Sequence, residues 1–307
     1  MDKLKKEDDN EERLDIFIAR TNKNISRAYA KVLIKEGHIK LNGKKAKSSF
    51  SVKQGDIVNV DYVAPVLKEK ILLPLTFVYE DDDVAVVDKP KGMAVHSGTN
   101  NYKGTLVGEF KKRDLMLPNG EVGVLHRLDK DTSGLIILAK SEQALHSLAK
   151  DIKQGNVSRS YVGLVEGTMP QEKGQIKTFI GPNPKDRRMM MIYRTNDGQI
   201  AITDYEVLET FVDKISKKYQ LVKFILQTGR THQIRVHAKH CGASLVGDEK
   251  YGADKNLWHI KGQMLQSNYI RFTHPTTKKE IELSLPLNED FKKVISELSV
   301  AKISKKK

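Results

Sequence analysis

A polar segment of nine residues between apolar runs constrains this chain more than any other feature. Residues 126–134 read His-Arg-Leu-Asp-Lys-Asp-Thr-Ser-Gly, and the apolar run 135–139 follows at once. This pattern predicts a tight turn, ended by glycine, that leads into a buried strand. Asp129 in that turn has two interpretations. It is either half of a structural ion pair with Arg127 or a reactive acid presented at a strand edge.

The charge of the chain indicates an acidic polymer as its partner. The 307 residues carry a formal net charge of +14, and nucleic acid is the leading candidate. No stretch approaches the roughly 20 apolar residues of a membrane span, and the N-terminus lacks the apolar core of a signal peptide. The single cysteine, Cys241, is typical of a reducing setting. We therefore expect a cytoplasmic protein with no membrane partner.

Several common kinds of catalytic site are not indicated by the sequence. His232, His237 and Cys241 do not have the spacing of a zinc site. No glycine-rich phosphate-binding loop is present, and Ser133 does not lie in the Gly-x-Ser-x-Gly turn of a serine hydrolase. We expect neither a metal nor a cofactor.

The surplus charge is concentrated near the N-terminus. Residues 13–60 contain eleven lysines and arginines against three acids. A helix is predicted over 25–36, ended by Gly37, with Arg27, Lys31 and Lys35 along one face. This stripe is either an ordinary solvated face or a set of RNA phosphate contacts, and the surrounding charge favours RNA.

A hairpin and several turns complete the predicted organisation. Asn42-Gly43 between short alternating segments predicts a β-hairpin. We divide the chain into a disordered charged N-terminus, a small α/β RNA-binding domain, a linker, a catalytic domain, and a C-terminal helix with a basic tail. The respective bounds are 1–12, 13–60, 61–75, 76–290 and 291–307.

Strands outnumber helices in the larger domain. A hairpin is predicted over 77–87, and a helix capped by Ser141 is predicted to end at Gln154, before Gly155. Further strands are predicted at 161–165, 202–208 and 219–226. The fold class is therefore α+β, with a mainly antiparallel sheet and flanking helices.

Two more segments contain reactive side chains. In 228–237, Thr231 can cap a helix that places His232 and Arg235 on one face, and Arg235 can pair with Asp129 or bind a phosphate. The alternative there is cap chemistry with a core histidine. Tyr161 is either a core ring or a surface on which a base extracted from RNA stacks.

Together these segments resemble the RluA/RluD-type pseudouridine synthases over about residues 71–287. The matching segments are Lys89-Pro90-x-Gly92, the 126–134 segment, Tyr161, the 229–237 segment, Gly247-Asp248 with Tyr251-Gly252, and Phe272-x-His274-Pro275. Residues 13–60 are similar to the RNA-binding domain of small-subunit ribosomal protein four. In one departure, Gln266 stands where relatives usually have histidine, and we expect it to serve as structural support.

The resemblance implies isomerisation of uridine to pseudouridine in RNA, with no cofactor. Asp129 would act as nucleophile or as base at the sugar, Arg235 would pair with it, and Tyr161 would stack on the uracil. Arg127 would fill the gap left by the flipped base. Further contacts to the RNA are expected from His126, Thr132, Arg230 and His232. The expected substrate is large-subunit (23S) rRNA, acted on by a monomer.

Two alternatives remain open at this point. The basic N-terminal domain also suits a non-catalytic RNA-binding factor in ribosome assembly. A glycosidase would need a second carboxylate about 5 to 9.5 Å from Asp129, and Asp131 is the only near candidate in the sequence.

Overall fold

The computed structural model describes residues 2–22, 25, 27–61, 74–96, 104–195, 197–252 and 258–301. The chain divides into an N-terminal unit, Met1–Ile71, and a C-terminal unit, Leu72–Lys307. Most of the predicted linker and basic tail, at 62–73 and 302–307, lies outside the described residues. Within the described ranges, no helix is both long and apolar enough to cross a membrane.

The described part of the N-terminal unit contains two helices and six short strands. They are α1 (Leu14–Thr21), α2 (Arg27–Glu36), β1 (Asp2–Lys5), β2 (Glu12–Arg13), β3 (Ile39–Leu41), β4 (Lys44–Lys45), β5 (Ser51–Val52) and β6 (Ile57–Val60). One sheet has the order β1-β6-β3-β4, and β2 pairs with β5. Phe17, Ile18, Leu33 and Val58 belong to its buried core.

The local signals of this unit gave the helix α2 and the hairpin that follows it, whereas helix α1 was not predicted. Asn42 and Gly43 both have positive φ, 51° and 75°, in the turn of the predicted hairpin between β3 and β4. Gly37 follows α2 with φ 86°, as expected of a residue that ends a helix. The helix begins at Arg27 rather than at Ile25, so the predicted start was two residues early.

The prediction of a disordered segment at 1–12 is wrong for the described residues. Strand β1 pairs antiparallel with β6 in that segment. Lys6 is buried, and its ammonium group pairs with Asp8 and, at 2.9 Å, with Glu12. The charged run looked like a solvated tail, but its opposite charges neutralise one another at the edge of a sheet.

Thirteen strands of the described residues form one sheet in the C-terminal unit. They are β7 (Thr76–Glu80), β8 (Val84–Lys89), β9 (Gly123–Val124), β10 (Ser133–Ala139), β11 (Ser158–Glu166), β12 (Lys173–Pro182), β13 (Met190–Tyr193), β14 (Gln199–Val212), β15 (Lys218–Leu226), β16 (Ser244–Leu245), β17 (Leu265–Thr273), β18 (Glu280–Ser284) and β19 (Ser299–Val300). The central order is β13-β12-β14-β15-β11-β17-β10-β8-β7. Every described pairing is antiparallel except β10 with β17. The predicted α+β class with a mainly antiparallel sheet is confirmed.

Four α-helices and a 3-10 turn flank this sheet. They are α3 (Leu106–Lys112), α4 (Glu142–Gln154), α5 (Gln233–His240), α6 (Glu289–Ser296) and the turn Glu249–Tyr251. Helix α4 has the predicted caps, because the Ser141 hydroxyl accepts from Ala144 N–H and Gly155 is left-handed. Helix α6 starts at Glu289 and buries Phe291 and Val294 in the core of this unit. The predicted division at 290 therefore cuts through a helix that belongs to the C-terminal unit.

Strand β10 is buried on both faces, which explains its uninterrupted apolar sequence. Ile136 and Leu138 pack in the cluster that includes residues of α3 and α5. Leu135 and Ile137 pack in the cluster that includes residues of α4. The strand that follows the nonapeptide is therefore fixed from both sides, and it anchors the turn that carries Asp129.

Gly134 allows β10 to lie beside β17. Its φ is 108°, and a Cβ atom there would lie 2.1 Å from the carbonyl oxygen of Ser267. No side chain fits in that space, and L-residues avoid that backbone conformation. The glycine at the end of the nonapeptide is therefore required by the close approach of the two strands.

Candidate active site

A cavity of about 380 Å³ lies in the C-terminal unit, beside the nonapeptide. Three stretches of chain form most of its lining: the turn before β10, the start of β11, and the segment from the end of β15 into α5. Ile152 and Lys153 of α4 and Leu265 of β17 complete the described lining. All eight site residues predicted in this unit lie in its wall: His126, Arg127, Asp129, Thr132, Tyr161, Arg230, His232 and Arg235. The fold therefore gathers side chains that are more than a hundred residues apart in sequence.

Asp129 is paired with Arg235, and not with its sequence neighbour. The Arg235 Nη1 atom donates to Asp129 Oδ2 at 3.1 Å. His232 Nε2 lies 3.8 Å from the same oxygen. Arg127 is exposed and forms no ion pair with any residue in the described ranges. Of the two sequence interpretations, the local pair of Asp129 with Arg127 is absent.

Arg235 is shared between two carboxylates. Its Nε and Nη2 atoms donate to the two oxygens of Asp248, each at 2.7 Å, and its guanidinium group lies 4.9 Å from the centre of the Tyr251 ring. Burial alone would lower the pKa of Arg235, but the hydrogen bonds and charge of Asp248, with the charge of Asp129, raise it. Two sides of the guanidinium are therefore fixed, so that one nitrogen is directed at Asp129.

A second set of contacts reaches Asp129 through His232. The Tyr251 hydroxyl accepts from Met190 N–H and lies 2.8 Å from His232 Nδ1. His232 precedes α5 with φ 56°, a left-handed conformation, and has no capping hydrogen bond. The prediction that Thr231 caps this helix was therefore wrong. Burial lowers the pKa of His232, although the charge of Asp129 raises it in part.

The turn around Asp129 is held by a buried lysine. The Lys89 ammonium group donates to the carbonyl oxygens of Pro90, Met93 and Lys130 at 2.8 to 3.2 Å. Burial lowers the pKa of Lys89 to about 8, although nearby acids raise it in part. The lysine–proline segment therefore supports the turn from beneath rather than facing the cavity.

Tyr161 provides the aromatic wall of the cavity. Its side chain is buried on β11. Burial raises the pKa of the phenol, although the nearby charge of Arg159 lowers it in part. The ring is therefore protonated at neutral pH, and it can stack on a planar base.

Of the other predicted residues in the wall, His126, Thr132 and Arg230 also bond to the fold. His126 Nε2 accepts from Ile137 N–H at 3.1 Å. The Thr132 hydroxyl accepts from Gln263 at 2.9 Å, and Arg230 Nε donates to a backbone carbonyl on β14 at 3.0 Å. Each of these residues therefore helps to hold the cavity together as well as facing it.

Two residues near the cavity were not predicted as site residues. Asp248 appeared only within a structural signature of the resemblance, and its two bonds to Arg235 give it a part in the site. Arg159 lies two positions before Tyr161, lines the cavity and is buried. The sequence signal for Arg159 was an arginine two positions before Tyr161, just before a predicted strand. Arginines are rarely buried without a partner, so such an arginine is a candidate for binding a ligand.

Two other positions discussed from the sequence, His237 and Gln266, bond only within the fold among the described residues. His237 is buried, with its ring nitrogens 2.9 Å from the hydroxyls of Thr178 and Thr203. Gln266 donates to the Pro286 carbonyl and accepts from Asn288 N–H, each at 3.0 Å, so it joins β17 to the start of α6.

Asp131 is placed against another part of the fold. It does not line the cavity, and its side chain occupies the space in which a Cβ of Gly262 would lie, 2.4 Å from the Asp131 Cβ. The glycosidase alternative needs a second carboxylate in the cavity near Asp129, so the position of Asp131 removes its only candidate.

Two of the three basic residues on the face of α2, Arg27 and Lys31, form ion pairs within the N-terminal unit. The carboxylate of Asp15, on α1, is buried and lies 3.1 Å from Arg27 and 3.7 Å from Lys31. Both basic side chains are half exposed. Lys35 is exposed on the same helix. The stripe therefore fixes α2 to α1 and still presents positive charge to solvent.

Comparisons with known proteins identify the family and agree with the fold. The profile of the RNA pseudouridylate synthase family matches residues 83–240, and that of the S4 domain matches residues 12–58. The chain belongs to the RNA pseudouridylate synthase family and is an RNA pseudouridine synthase with an N-terminal S4 domain.

Individual relatives cover nearly all of the chain. The uncharacterized RNA pseudouridine synthase YlyB of Bacillus subtilis is 39% identical over 298 residues, which is 95% of this chain and 96% of that protein. Ribosomal large subunit pseudouridine synthase D of Xanthomonas campestris is 34% identical, covering 93% and 88% respectively. The solved structure of human RNA pseudouridylate synthase domain containing 1 has a TM-score of 0.59 at 25% identity, covering 76% of this chain and 91% of that one.

Proposed function

We propose that this enzyme converts specific uridines of large-subunit rRNA to pseudouridine, with Asp129 as the catalytic carboxylate. The observation that carries the proposal is the single contact from Arg235 to Asp129 Oδ2 inside a cavity walled by Tyr161. That contact occupies one carboxylate oxygen. The other, Oδ1, has no hydrogen bond to the described residues and is available to the substrate.

The proposed reaction rearranges one nucleotide without adding or losing atoms. The bond from the sugar to N1 of uracil breaks, the base turns, and the sugar carbon bonds to C5. The proton on C5 leaves, and N1 gains one. Asp129 serves as nucleophile or base at the sugar, and both routes need a carboxylate at this place.

The other side chains bind and orient. Arg235 holds the Asp129 carboxylate, Tyr161 stacks on the uracil and assists loss of the C5 proton, and Arg127 fills the place of the flipped base. Arg127 suits that part because it is exposed at the wall of the cavity. Contacts to the RNA come from His126, Thr132, Arg230 and His232.

The N-terminal unit is proposed to dock the RNA through Arg27, Lys31 and Lys35. Their charges meet phosphates and position the substrate without reading its sequence. Large-subunit rRNA is proposed because several relatives bear the name ribosomal large subunit pseudouridine synthase D. We also propose that the enzyme acts in the cytoplasm, which the single cysteine favours, and that it acts as a monomer.

Mapping of pseudouridine in total rRNA tests the proposal. Cells that lack this protein should lose one or more pseudouridines of the large subunit, and the wild-type gene should restore them. Asp129→Asn should not restore them. The control Asp290→Asn removes an acid at the start of α6, whose partner is Lys91, and it should restore them fully.

The same strains separate the non-catalytic alternative. If Asp129→Asn restores every pseudouridine, Asp129 is not the catalytic carboxylate. If removal of the gene changes no site on the large subunit but abolishes a pseudouridine in another RNA, that RNA is the substrate. An assembly factor without catalysis would leave the map unchanged, while Asp129→Asn repaired any defect in growth.

A further inference from the structure

Two buried hydrogen-bond donors in the wall of the cavity lack an acceptor. Only 7% of Arg159 is exposed, and its buried Nε atom has no hydrogen-bond partner among the described residues. The buried Nδ1 atom of His126 also lacks a hydrogen-bond partner within the described part of the chain. Both residues line the cavity.

The backbone determines which nitrogen of His126 carries the proton. Because Nε2 accepts from Ile137 N–H, that nitrogen must present a lone pair. Burial lowers the pKa of His126 to about 3, and the charge of Arg159 lowers it as well. The ring is therefore neutral at physiological pH, with its single proton on Nδ1. His126 offers a donor, as Arg159 does.

A buried guanidinium group without a counter-ion is unfavourable in the free protein. Removing such a charge from water costs several kcal/mol unless an opposite charge and hydrogen bonds replace the lost hydration. The cavity wall contains further cations, Arg127, Lys153 and Arg230, whereas Asp129 is the only acid among its described residues and is paired with Arg235. A ligand that carries a negative charge can supply the partner that Arg159 lacks within the described part of the chain.

We propose that Arg159 and His126 form an oxyanion subsite that binds a phosphate oxygen of the RNA strand beside the target uridine. The inference rests on the proposed function, since the same cavity receives the uridine. A phosphate supplies both the negative charge that Arg159 lacks and acceptor lone pairs for the two donors. A neutral uracil carbonyl would leave the arginine charge uncompensated.

If the subsite exists, loss of Arg159 should leave the stability of the free protein unchanged or higher and should weaken the binding of a phosphate-bearing ligand. Without RNA, Arg159→Met removes a buried unpaired charge while keeping a long side chain. The thermal midpoint of this variant should equal or exceed that of the wild type. An arginine that served only the fold would give the opposite result, a lowered midpoint.

Calorimetric titration of the full chain tests the subsite without any need for turnover. Uridine 5′-monophosphate should bind Arg159→Met roughly ten- to a hundredfold more weakly than the wild type, which is the expected effect of losing a charge-assisted hydrogen bond. Uridine, which lacks the phosphate, should bind both proteins alike. The control Arg271→Met removes the same charge from β17, where Arg271 stands opposite Ser158, and should bind the nucleotide like the wild type.

Kinetics with a substrate RNA identify the phosphate. A methylphosphonate at one of the two linkages that flank the mapped uridine should raise KM for the wild type about as much as Arg159→Met does, with little change in kcat. The two changes together should have no further effect. Arg159→Lys, which restores the charge without the Nε–H, should lie between.

Any of four results would overturn the subsite. The first is a lowered thermal midpoint of Arg159→Met without RNA. The second is an Arg159→Met protein that binds uridine 5′-monophosphate as tightly as the wild type, and the third is one whose affinity for uridine falls as much as its affinity for the nucleotide. The fourth is a methylphosphonate effect and a variant effect that multiply as independent effects do. An inactive wild-type enzyme would instead count against the proposed function, and the calorimetric result would still decide the subsite.

Discussion

Asp248→Asn tests whether Arg235 needs two acids to hold Asp129. In the wild type the carboxylate of Asp248 accepts two hydrogen bonds from Arg235, and only 1% of its side chain is exposed. Asparagine keeps the shape but offers one acceptor oxygen and places an amide NH₂ against the second guanidinium N–H. The released guanidinium should turn toward Asp129 and bind both of its oxygens.

The structure sets the size of the effect. Breaking a buried ion pair costs about 3 to 5 kcal/mol when a charge is left alone. Arg235 retains Asp129 and one bond to the amide oxygen, so we expect a loss of about 2 to 3 kcal/mol in the free energy of unfolding. In a unit of this size that corresponds to a fall of roughly 5 to 10 °C in Tm. The displaced carboxylate should lower kcat roughly ten- to a hundredfold.

Calorimetry and single-turnover kinetics on the same preparations measure both effects. Asp290→Asn is the control, because its pair with Lys91 is at the surface and surface pairs contribute only about 0 to 1 kcal/mol. Turnover like that of the wild type in Asp248→Asn, measured below its melting transition, would refute the reasoning. So would a Tm change no larger than that of the control.

Three other outcomes follow from the structure. Gly134→Ala should lower the free energy of unfolding by about 3 kcal/mol or more in chemical denaturation, since a Cβ does not fit there; a loss under 1 kcal/mol would contradict this. Burial lowers the pKa of His237 to about 4. Between about pH 6.5 and pH 4 the unfolded chain therefore binds a proton that the folded chain does not, and the free energy of unfolding decreases as the pH is lowered. His237→Gln should reduce that slope by up to about 1.4 kcal/mol per pH unit, and an unchanged slope would argue against a neutral buried ring. Arg27→Ala with Lys31→Ala should weaken RNA binding in a filter assay and also lower the melting point of the N-terminal unit, whereas Lys35→Ala should weaken binding alone; equal melting points would contradict the ion pairs on α1.

The sequence predicted those elements that begin or end at a recognisable capping or turn residue. Helix α4 was found with its caps, because Ser141 and Gly155 satisfy or terminate backbone groups within one turn. The hairpin at Asn42 was found for a similar reason, since its turn needs positive φ. Strand β14 was predicted over 202–208 but spans Gln199–Val212, because partner strands on both sides extend pairing through polar residues that give no apolar signal.

The site itself was less visible in local sequence patterns. The pair of Asp129 with Arg235 joins residues 106 positions apart, and the resemblance rather than any periodicity indicated it. Asp248 and Arg159 were missed because their importance lies in what they contact or fail to contact. Asp15 was missed for the same reason: an acid in a basic segment looks like an ordinary surface charge until the fold buries it.

The order of the segments along the chain has a consequence for synthesis on the ribosome. Asp129 emerges first, the helix with Arg235 follows more than a hundred residues later, and β17, the parallel neighbour of β10, is among the last strands to be made. Hydrophobic contacts that span such distances form after local ones. A growing chain therefore carries the acid without the cavity. We expect uridine isomerisation to begin only when translation of the C-terminal unit is complete.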